Sequence, residues 1–176
     1  TDDPRPLGPY GVTKLAGTRA VLAVGADLGL RASVLRIFNP VGAHSPRSTL
    51  PGRLAHLLRT VGKDEPLVVG PLESFRDFVD VRDVAAAVLA CIGAVNSAGC
   101  VYNIGSGQAI GSRELAERLT RVAGFSGGIR EEGRSSNRSD GLAWQQADIA
   151  RAARDLRWSP RHDLADSLRD LWRYAT

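Results

Sequence analysis

The stretch at residues 8–42, GPYGVTKLAGTRAVLAVGADLGLRASVLRIFNPVG, decides the fold, because it joins an apolar helix directly to a short β-rich strand. Alanine, valine, leucine and glycine dominate residues 10–30, and Pro9 suits a first helical position, so this segment predicts a buried helix. ASVLRIF, residues 32–38, is closed by asparagine, proline and glycine, as expected of a strand in a parallel sheet. Helix and strand form half of a βαβ unit, which predicts the α/β fold class.

Helices and strands continue to alternate along the rest of the chain. Asp80 and Asp83 stand where the N-cap and the third residue of a helix through Val95 are expected. We predict the other helices over residues 50–61, 112–123, 147–156 and 163–175. We predict strands or extended segments over residues 66–70, 75–81, 100–104 and 128–132.

The charged residues indicate a solvated surface rather than a nucleic-acid interface. The 176 residues carry a net charge of +4, with 21 arginines and two lysines, and the basic residues alternate with acids, as in SRELAERLTR. The longest uncharged apolar run, residues 84–95, is too short to cross a bilayer, and the opening residues TDDPRP lack a signal-peptide pattern. We therefore expect a soluble, cytoplasmic protein with neither nucleic acid nor membrane as a partner.

The cysteines and histidines do not predict a metal site. Cys91 and Cys100 lie in apolar runs without the spacing of a zinc site or a redox CxxC, so we expect buried structural roles. His44, His56 and His162 are scattered, with no carboxylate or cysteine at ligand spacing. We expect no bound metal.

A tyrosine and a lysine stand four residues apart at the predicted start of the first helix. Lys14 is one of two lysines in a chain that otherwise uses arginine for positive charge, and Tyr10 is one of three tyrosines. One helical turn separates the two side chains, so the ammonium stabilises a phenolate and allows Tyr10 to exchange a proton with a hydroxyl. The spacing alone is also compatible with a surface tyrosine beside a lysine.

The segment GSGQAIG, residues 105–111, superficially imitates a dinucleotide-binding fingerprint. Gly105, Gly107 and Gly111 follow a predicted strand and precede a predicted helix, but the third glycine comes one residue late. We therefore favour a plain strand-to-helix turn over a cofactor site at this segment.

Five motifs occur in order: PYGVTK, RIFNPVGA, FRDFVDVRDVA, VYNIGSG and RSDGLAWQQADIARAARDLRWSP. This set resembles the extended short-chain dehydrogenase/reductase family, specifically its nucleotide-sugar epimerases, dehydratases and 4-ketoreductases. The resemblance covers nearly the whole chain but only the second half of the family's usual length. RIFNPVGAHSP resembles UDP-galactose 4-epimerases, whereas VVGPLESFRDFVDVRDV resembles GDP-4-keto-6-deoxymannose reductases, so the subfamily stays open.

The resemblance implies the C-terminal part of a Rossmann-like parallel-sheet domain plus a small α/β substrate-binding lobe. We assign residues 1–45 and 74–104 to the Rossmann-like part and residues 46–73 and 105–176 to the lobe. In this family the tyrosine-bearing helix often joins a four-helix dimer interface, so we expect a homodimer through residues 10–30. The N-terminal half of the same enzyme, which the resemblance does not cover, is a second candidate partner.

The resemblance assigns the cofactor side of the site to three residues. It makes Tyr10 and Lys14 the acid/base pair and, together, ligands of the nicotinamide ribose of NAD or NADP. It also places Phe38 against the nicotinamide, although an ordinary core position explains that residue equally well.

Four further residues are implied on the substrate side. Asn39 would contact the substrate, and Arg76 and Arg138 would bind the diphosphate of a nucleotide-diphosphate sugar through bidentate guanidinium groups. Val69 matches a position near the nucleotide base, although burial in the core is the stronger interpretation.

Two functional hypotheses follow from these residues. The first is the C-terminal half of an NAD(P)-dependent nucleotide-sugar epimerase, 4-ketoreductase or dehydratase, which transfers hydride at the sugar C4 and lacks activity as this chain alone. The second is a non-catalytic truncated paralogue that acts as a nucleotide-sugar-binding or partner subunit.

Overall fold

The computed structural model describes residues 3–62, 64–133 and 142–175. Within them the helices are α1 (Pro9–Asp27), α2 (Leu50–Thr60), α3 (Val81–Gly93), α4 (Ser112–Ala123), α5 (Ala150–Leu156) and α6 (Leu164–Tyr174). The strands are β1 (Val34–Ile37), β2 (Asn39–Val41), β3 (Leu67–Val69), β4 (Phe75–Asp80), β5 (Val101–Ile104), β6 (Ala109–Gly111) and β7 (Ile129–Glu131).

The strands pair in three small sheets whose parallel registers confirm the α/β class. β1 pairs in parallel with β5, with Val34 opposite Val101, and β3 pairs in parallel with β7. β4 lies between β2, to which it is parallel, and β6, to which it is antiparallel. β4 therefore connects the helix–strand unit at the start of the chain to the elements that follow residue 105.

Buried apolar side chains form two clusters. The larger cluster draws mainly on α2, β3, β4, α4 and α6 and includes Val41, Phe78 and Leu115. The smaller one draws on α3, β5 and α5, with Tyr102 and Trp158 among its members. The assignment of residues 1–45 and 74–104 to a Rossmann-like part, and of residues 46–73 and 105–176 to a substrate-binding lobe, stays a prediction.

Helix α1 lies at the surface, so the prediction of a buried helix was wrong for this chain. Gly25 is its only buried residue, and Val12, Val21 and Val24 are each more than half exposed. A Cβ atom at Gly25 would lie 2.5 Å from the Ala32 Cβ, so this end of α1 approaches the chain before β1 closely. An apolar sequence indicates a surface that can be buried, whereas burial itself requires a second layer.

The cysteines differ from the buried positions that we expected, because both Cys91 and Cys100 are free and only half-buried.

No helix in the described part of the chain is long and apolar enough to cross a bilayer. Across the same residues, no group of three or more histidine, cysteine or acidic side chains is arranged to hold a metal ion.

The Asp77 carboxylate, fully buried on β4, connects three segments. Its Oδ1 accepts hydrogen bonds from the amide and the hydroxyl of Ser106 at 2.6 and 2.7 Å, and its Oδ2 accepts from the amides of Gly107 and Ala147 at 2.9 and 3.0 Å. A Cβ at Gly105 would lie 2.5 Å from the Ala147 Cβ and 2.9 Å from Asp77 Oδ2, so this approach requires glycine. The amides of the glycine-rich turn therefore bind a carboxylate of the protein itself.

Asp80 ends β4 and caps α3, as its position predicted. Its carboxylate accepts from the Arg82 amide at 2.7 Å, from the Arg82 guanidinium at 2.8 Å and from the Ser167 hydroxyl at 2.6 Å. Burial by itself raises the pKa of Asp80, but the hydrogen bonds from Arg82 and Ser167 outweigh burial and lower the pKa to about 2. Arg82 also pairs with Asp170 at 3.0 Å, so the cap holds α6 against β4.

Asp83 binds a distant segment instead of completing the cap. Its Oδ2 accepts from the amides of Arg161 and His162 at 3.1 and 3.0 Å, and its Oδ1 lies 2.9 Å from His162 Nδ1. The Asp83 carbonyl accepts from Trp158 Nε1 at 3.0 Å. Asp83 therefore fastens the chain before α6 to the first turn of α3.

We expect Asp77→Asn to lower the free energy of unfolding by about 3 kcal/mol, because the amide group turns an NH2 toward backbone donors that need an acceptor. Urea unfolding followed by circular dichroism measures the loss. The control Glu117→Gln removes an exposed carboxylate and should change stability by less than about 0.5 kcal/mol. Equal losses in the two variants would contradict the connecting role of Asp77.

The pKa of Asp80 predicts part of the acid sensitivity of the fold. Because the folded value, about 2, lies below that of the unfolded chain, the group stabilises the fold above pH ~4, and this contribution of about 2 kcal/mol disappears as the pH falls toward 2. Asp80→Asn should therefore be less stable than the parent at neutral pH, and the gap should narrow between pH ~4 and ~2. Asp27→Asn, an exposed change at the end of α1, is the control; a gap that stays constant with pH would refute the assignment.

Candidate active site

The Tyr10–Lys14 pair lies on the first turns of α1, which begins at Pro9 after the extended residue Gly8. The Lys14 Nζ lies 5.5 Å from the centroid of the Tyr10 ring, and Tyr10 is 62% exposed. Within the described residues, no hydrogen bond or ion pair engages Tyr10 Oη or Lys14 Nζ. The structure therefore brings the two predicted side chains together and leaves both polar ends available to a ligand.

Phe38 and Asn39 lie at the junction of β1 and β2. The Phe38 amide donates to the Ile104 carbonyl at 2.9 Å, and the Phe38 ring is half-buried. Asn39 Nδ2 donates to the Asp77 carbonyl at 2.8 Å and to Gln145 Oε1 at 3.2 Å. These contacts use the amide nitrogen and fix the orientation of Asn39, so its Oδ1 is the atom that can accept a bond from a ligand.

Arg76 is a buried cation that binds only carbonyl groups among the described residues. It is 8% exposed, and its guanidinium donates to the carbonyls of Phe75 and Leu142 at 2.8 and 2.7 Å. Burial lowers the pKa of Arg76 from its ordinary value. No carboxylate in the described ranges forms an ion pair with it, and a buried charge without a counter-ion is costly. This environment suits an anionic ligand.

Backbone hydrogen bonds to β4 position the chain around Leu142. The Phe75 amide donates to the Ala143 carbonyl at 2.8 Å, and the Gln145 amide donates to the Phe75 carbonyl at 3.1 Å. These bonds lay residues 143–145 alongside the start of β4 and bring the Leu142 carbonyl to Arg76. Arg138, predicted as the second diphosphate ligand, lies outside the described residues.

An open cavity of about 540 Å³ lies beside the start of β4. Its lining residues are Leu72, Glu73, Phe75, Gly111, Arg113 and Glu131. Glu131 accepts from the Leu72 amide at 2.9 Å and pairs with Arg113, so its charge is already compensated. Phe75 is 47% exposed, which presents an aromatic surface to the cavity.

Val69 takes the core position that was the stronger of its two interpretations. It is 8% exposed, belongs to the larger apolar cluster and lies opposite Glu131 in the pairing of β3 with β7. The predicted contact with a nucleotide base stays untested.

Two residues that the sequence reasoning did not single out also shape the site. Asp77 orients Asn39 through its carbonyl, and an acidic residue next to Arg76 inside a predicted strand was an available signal. Gln145 orients Asn39 through its side chain, and no pattern in the sequence distinguishes this glutamine from its neighbour Gln146.

Comparisons with known proteins identify the family of this chain. A model of the NAD dependent epimerase/dehydratase family matches residues 1–105. A dTDP-6-deoxy-L-talose 4-dehydrogenase (NAD(P)(+)) from Kitasatospora kifunensis is 37% identical over an alignment of 175 residues that covers 98% of this chain and 55% of the relative.

Solved structures show the same similarity. The RMD protein of Pseudomonas aeruginosa, complexed with NADPH, aligns with a TM-score of 0.85 at 31% identity, over 97% of this chain and 57% of that one. A UDP-glucuronic acid 4-epimerase from Bacillus cereus, in complex with UDP-glucuronic acid and NAD, aligns with a TM-score of 0.86 at 26% identity, over 98% and 54%.

The chain thus spans about half the length of the curated relatives and solved structures that it matches. The matched family model covers more than half of the chain, including α1, β1, β4 and the first three motifs. On this evidence the chain belongs to the NAD-dependent epimerase/dehydratase family.

Proposed function

We propose that this chain supplies the proton-transfer and substrate-binding residues of an NAD(P)-dependent nucleotide-sugar oxidoreductase of the 4-epimerase, 4-ketoreductase or dehydratase type. The observation that carries the proposal is the exposed Tyr10–Lys14 pair, whose polar atoms have no partner among the described residues. Relatives named as 4-dehydrogenase and 4-epimerase support chemistry at the sugar C4.

In the proposed mechanism, Tyr10 exchanges the proton of a sugar hydroxyl while the carbon that bears it gains or loses hydride. The Lys14 ammonium, one helical turn away, stabilises the phenolate form of Tyr10 by its positive charge. NAD or NADP, when bound, supplies the hydride acceptor or donor. The donor set fits such a group, because a phenol and an ammonium on one exposed face can both bond ribose hydroxyls.

The substrate side of the proposal rests on Arg76 and Asn39. The Arg76 guanidinium uses two of its N–H groups on carbonyls, so the remaining donors can bind the diphosphate of a nucleotide sugar. That anion would compensate a buried charge that has no ion-pair partner in residues 3–62, 64–133 and 142–175. Asn39 Oδ1, held in place by Asp77 and Gln145, can accept a bond from a sugar hydroxyl.

The exposed apolar side of α1 is a candidate binding surface for a partner protein. Val21, Val24 and Leu28 are each more than half exposed, and together they offer apolar surface along one helix. Such surface favours association with another folded surface. We propose a second copy of the chain, or the remaining part of the same enzyme, as the partner at residues 10–30.

A non-catalytic role, in which the chain binds a nucleotide sugar or a partner subunit without turnover, is the alternative. In that case Arg76 and Asn39 would bind a nucleotide sugar while Tyr10 and Lys14 would take no part in turnover. Substrate binding without turnover in the complete reading frame, tested with its native partners, would favour this alternative.

We expect Tyr10→Phe to reduce kcat by about 100- to 10,000-fold with little change in KM, because the variant removes the proton-transfer group but keeps the ring. The enzyme should be expressed from the complete reading frame that encodes this chain and assayed by NAD(P)H absorbance with UDP-, GDP- and dTDP-sugars. Lys14→Met should lower kcat as well, whereas Arg19→Gln, an exposed change farther along α1, should not. Full activity of Tyr10→Phe would refute the proposed role.

We expect Arg76→Lys to weaken binding of UDP or GDP by about tenfold or more, because a lysine keeps the charge but loses the fork that bonds phosphate bidentately. Titration calorimetry of the purified chain measures the dissociation constants, and thermal unfolding verifies that the variant is folded. Arg130→Lys is the matched control, since Arg130 is exposed and pairs with Glu132. Equal affinities for the parent and Arg76→Lys would exclude Arg76 as the diphosphate ligand.

A further inference from the structure

Cys100, which immediately precedes β5, differs from Cys91 in its contacts. The Arg151 guanidinium on α5 donates to the Cys100 sulfur, with Nη2 3.2 Å from Sγ. Cys91, near the end of α3, instead accepts a bond from Ser97 through its carbonyl. Both thiols are free and half-buried, but the Cys100 sulfur also donates to the carbonyls of Ala98 and Asn96 at 3.6 and 3.9 Å, and the guanidinium is the contact that brings a charge to it.

The surroundings of Cys100 carry a positive charge excess. Arg151 Nε lies 3.5 Å from Asp155, and the same carboxylate also pairs with Arg154 at 2.7 Å. Two guanidinium groups thus share one carboxylate, and one of the two, that of Arg151, contacts the sulfur. A partly exposed cysteine in an electropositive setting is the environment in which thiolates form and react.

Tyr102 provides a second, independent observation at the same place. It is fully buried, and its Oη has no hydrogen-bond partner in the described part of the protein. The pKa of Tyr102 is raised to about 12, first because burial disfavours the phenolate and then because the Cys100 side chain lies beside the phenol. The hydroxyl therefore stays protonated near neutral pH, and it is a buried donor with its capacity unused, on a ring whose centroid lies 5.5 Å from the Arg151 guanidinium carbon.

We propose that Cys100 is a site of reversible oxidation by hydroperoxides, with Tyr102 and Arg151 as the groups that hold the oxidised product. The Cys100 thiolate attacks one oxygen of the peroxide, the S–O bond forms, and the O–O bond breaks. The sulfur loses two electrons, the attacked oxygen stays on it with its own hydrogen as the sulfenic acid, and the departing oxygen takes up one proton from solvent and leaves as water or an alcohol.

The geometry gives each neighbour a separate role. Arg151 Nη2 contacts the sulfur at 3.2 Å, so its charge is in place to stabilise the negative charge that the reacting sulfur and the departing oxygen carry. The Tyr102 hydroxyl supplies a hydrogen bond that the reduced thiol leaves unused and that the new oxygen can accept. A second thiol can reverse the change, since it attacks the sulfenic sulfur, releases water and forms a mixed disulfide that further thiol reduces.

The purified chain tests the proposal directly, with hydrogen peroxide as the oxidant and dimedone as the sulfenic-acid trap. Peptide mass spectrometry should find the dimedone adduct on Cys100 at least about fivefold faster than on Cys91, and this preference should vanish in urea, where both thiols are solvated. Equal labelling of the two cysteines in the folded chain would overturn the proposal.

Substitutions of Arg151, Arg154 and Tyr102 test whether these neighbours, and not solvent exposure alone, make Cys100 reactive. Arg151→Gln should reduce Cys100 labelling to about the level of Cys91, whereas Arg154→Gln, which removes a guanidinium that does not touch the sulfur, should leave the preference in place. Tyr102→Phe should leave the rate of thiol loss unchanged but reduce the adduct obtained when dimedone is added after the peroxide has been removed. If Arg151→Gln labels like the parent, the proposal fails, whatever the stability of Tyr102→Phe.

Discussion

The fold around the candidate site depends on the carboxylate of Asp77, which accepts four hydrogen bonds in the interior of the protein. Three of the donors belong to the turn after β5 and the fourth to the chain at Ala147. An ionised group without these donors would be costly to bury, so the carboxylate and its donors determine one another's positions. The turn and the segment at residues 142–147 are thereby both tied to β4.

The positions of the candidate ligand groups follow from that arrangement. Asn39 is oriented by the Asp77 carbonyl, and Arg76 reaches the Leu142 carbonyl because the same segment lies along β4. Asp80 and Asp83 extend the principle to α6 and the chain before it, which they bind through Ser167 and His162. Three acidic residues within one strand–helix junction thus anchor much of the chain after residue 105.

The sequence patterns predicted helices and strands well where the signal was local. Pro9 does begin α1, Asp80 does cap α3, and Gly124 ends α4 in the left-handed conformation with φ +63°. Each of these features depends on a few adjacent residues, which a sequence displays directly. The spacing of Tyr10 and Lys14 is local in the same sense, because one helical turn brings the two side chains together wherever the helix lies.

Burial and partner choice were predicted less well, because they depend on residues distant in the sequence. The apolar composition of α1 predicted a buried helix, yet Val12 and Val21 are exposed since no further layer in the described part of the chain covers them. Asp83 suited a helix cap by position, but the amides of Arg161 and His162 compete for its carboxylate. Helix propensity cannot decide between the helix cap and these distant amides as partners of the carboxylate. The distance from Asp83 to the amides is set only when the helices and strands pack.

The sequence by itself determined the α/β class, the family and the Tyr10–Lys14 pair, because element types, ordered motifs and helical spacing are all written in neighbouring residues. Only the tertiary structure decided that Arg76 is buried without an ion-pair partner among the described residues, that the glycine-rich turn binds Asp77, and that Arg151 lies against both the Cys100 sulfur and the Tyr102 ring. The physical reason is that the free energy of a charged or polar group depends on the dielectric and the donors around it, and those come from segments that only folding brings together.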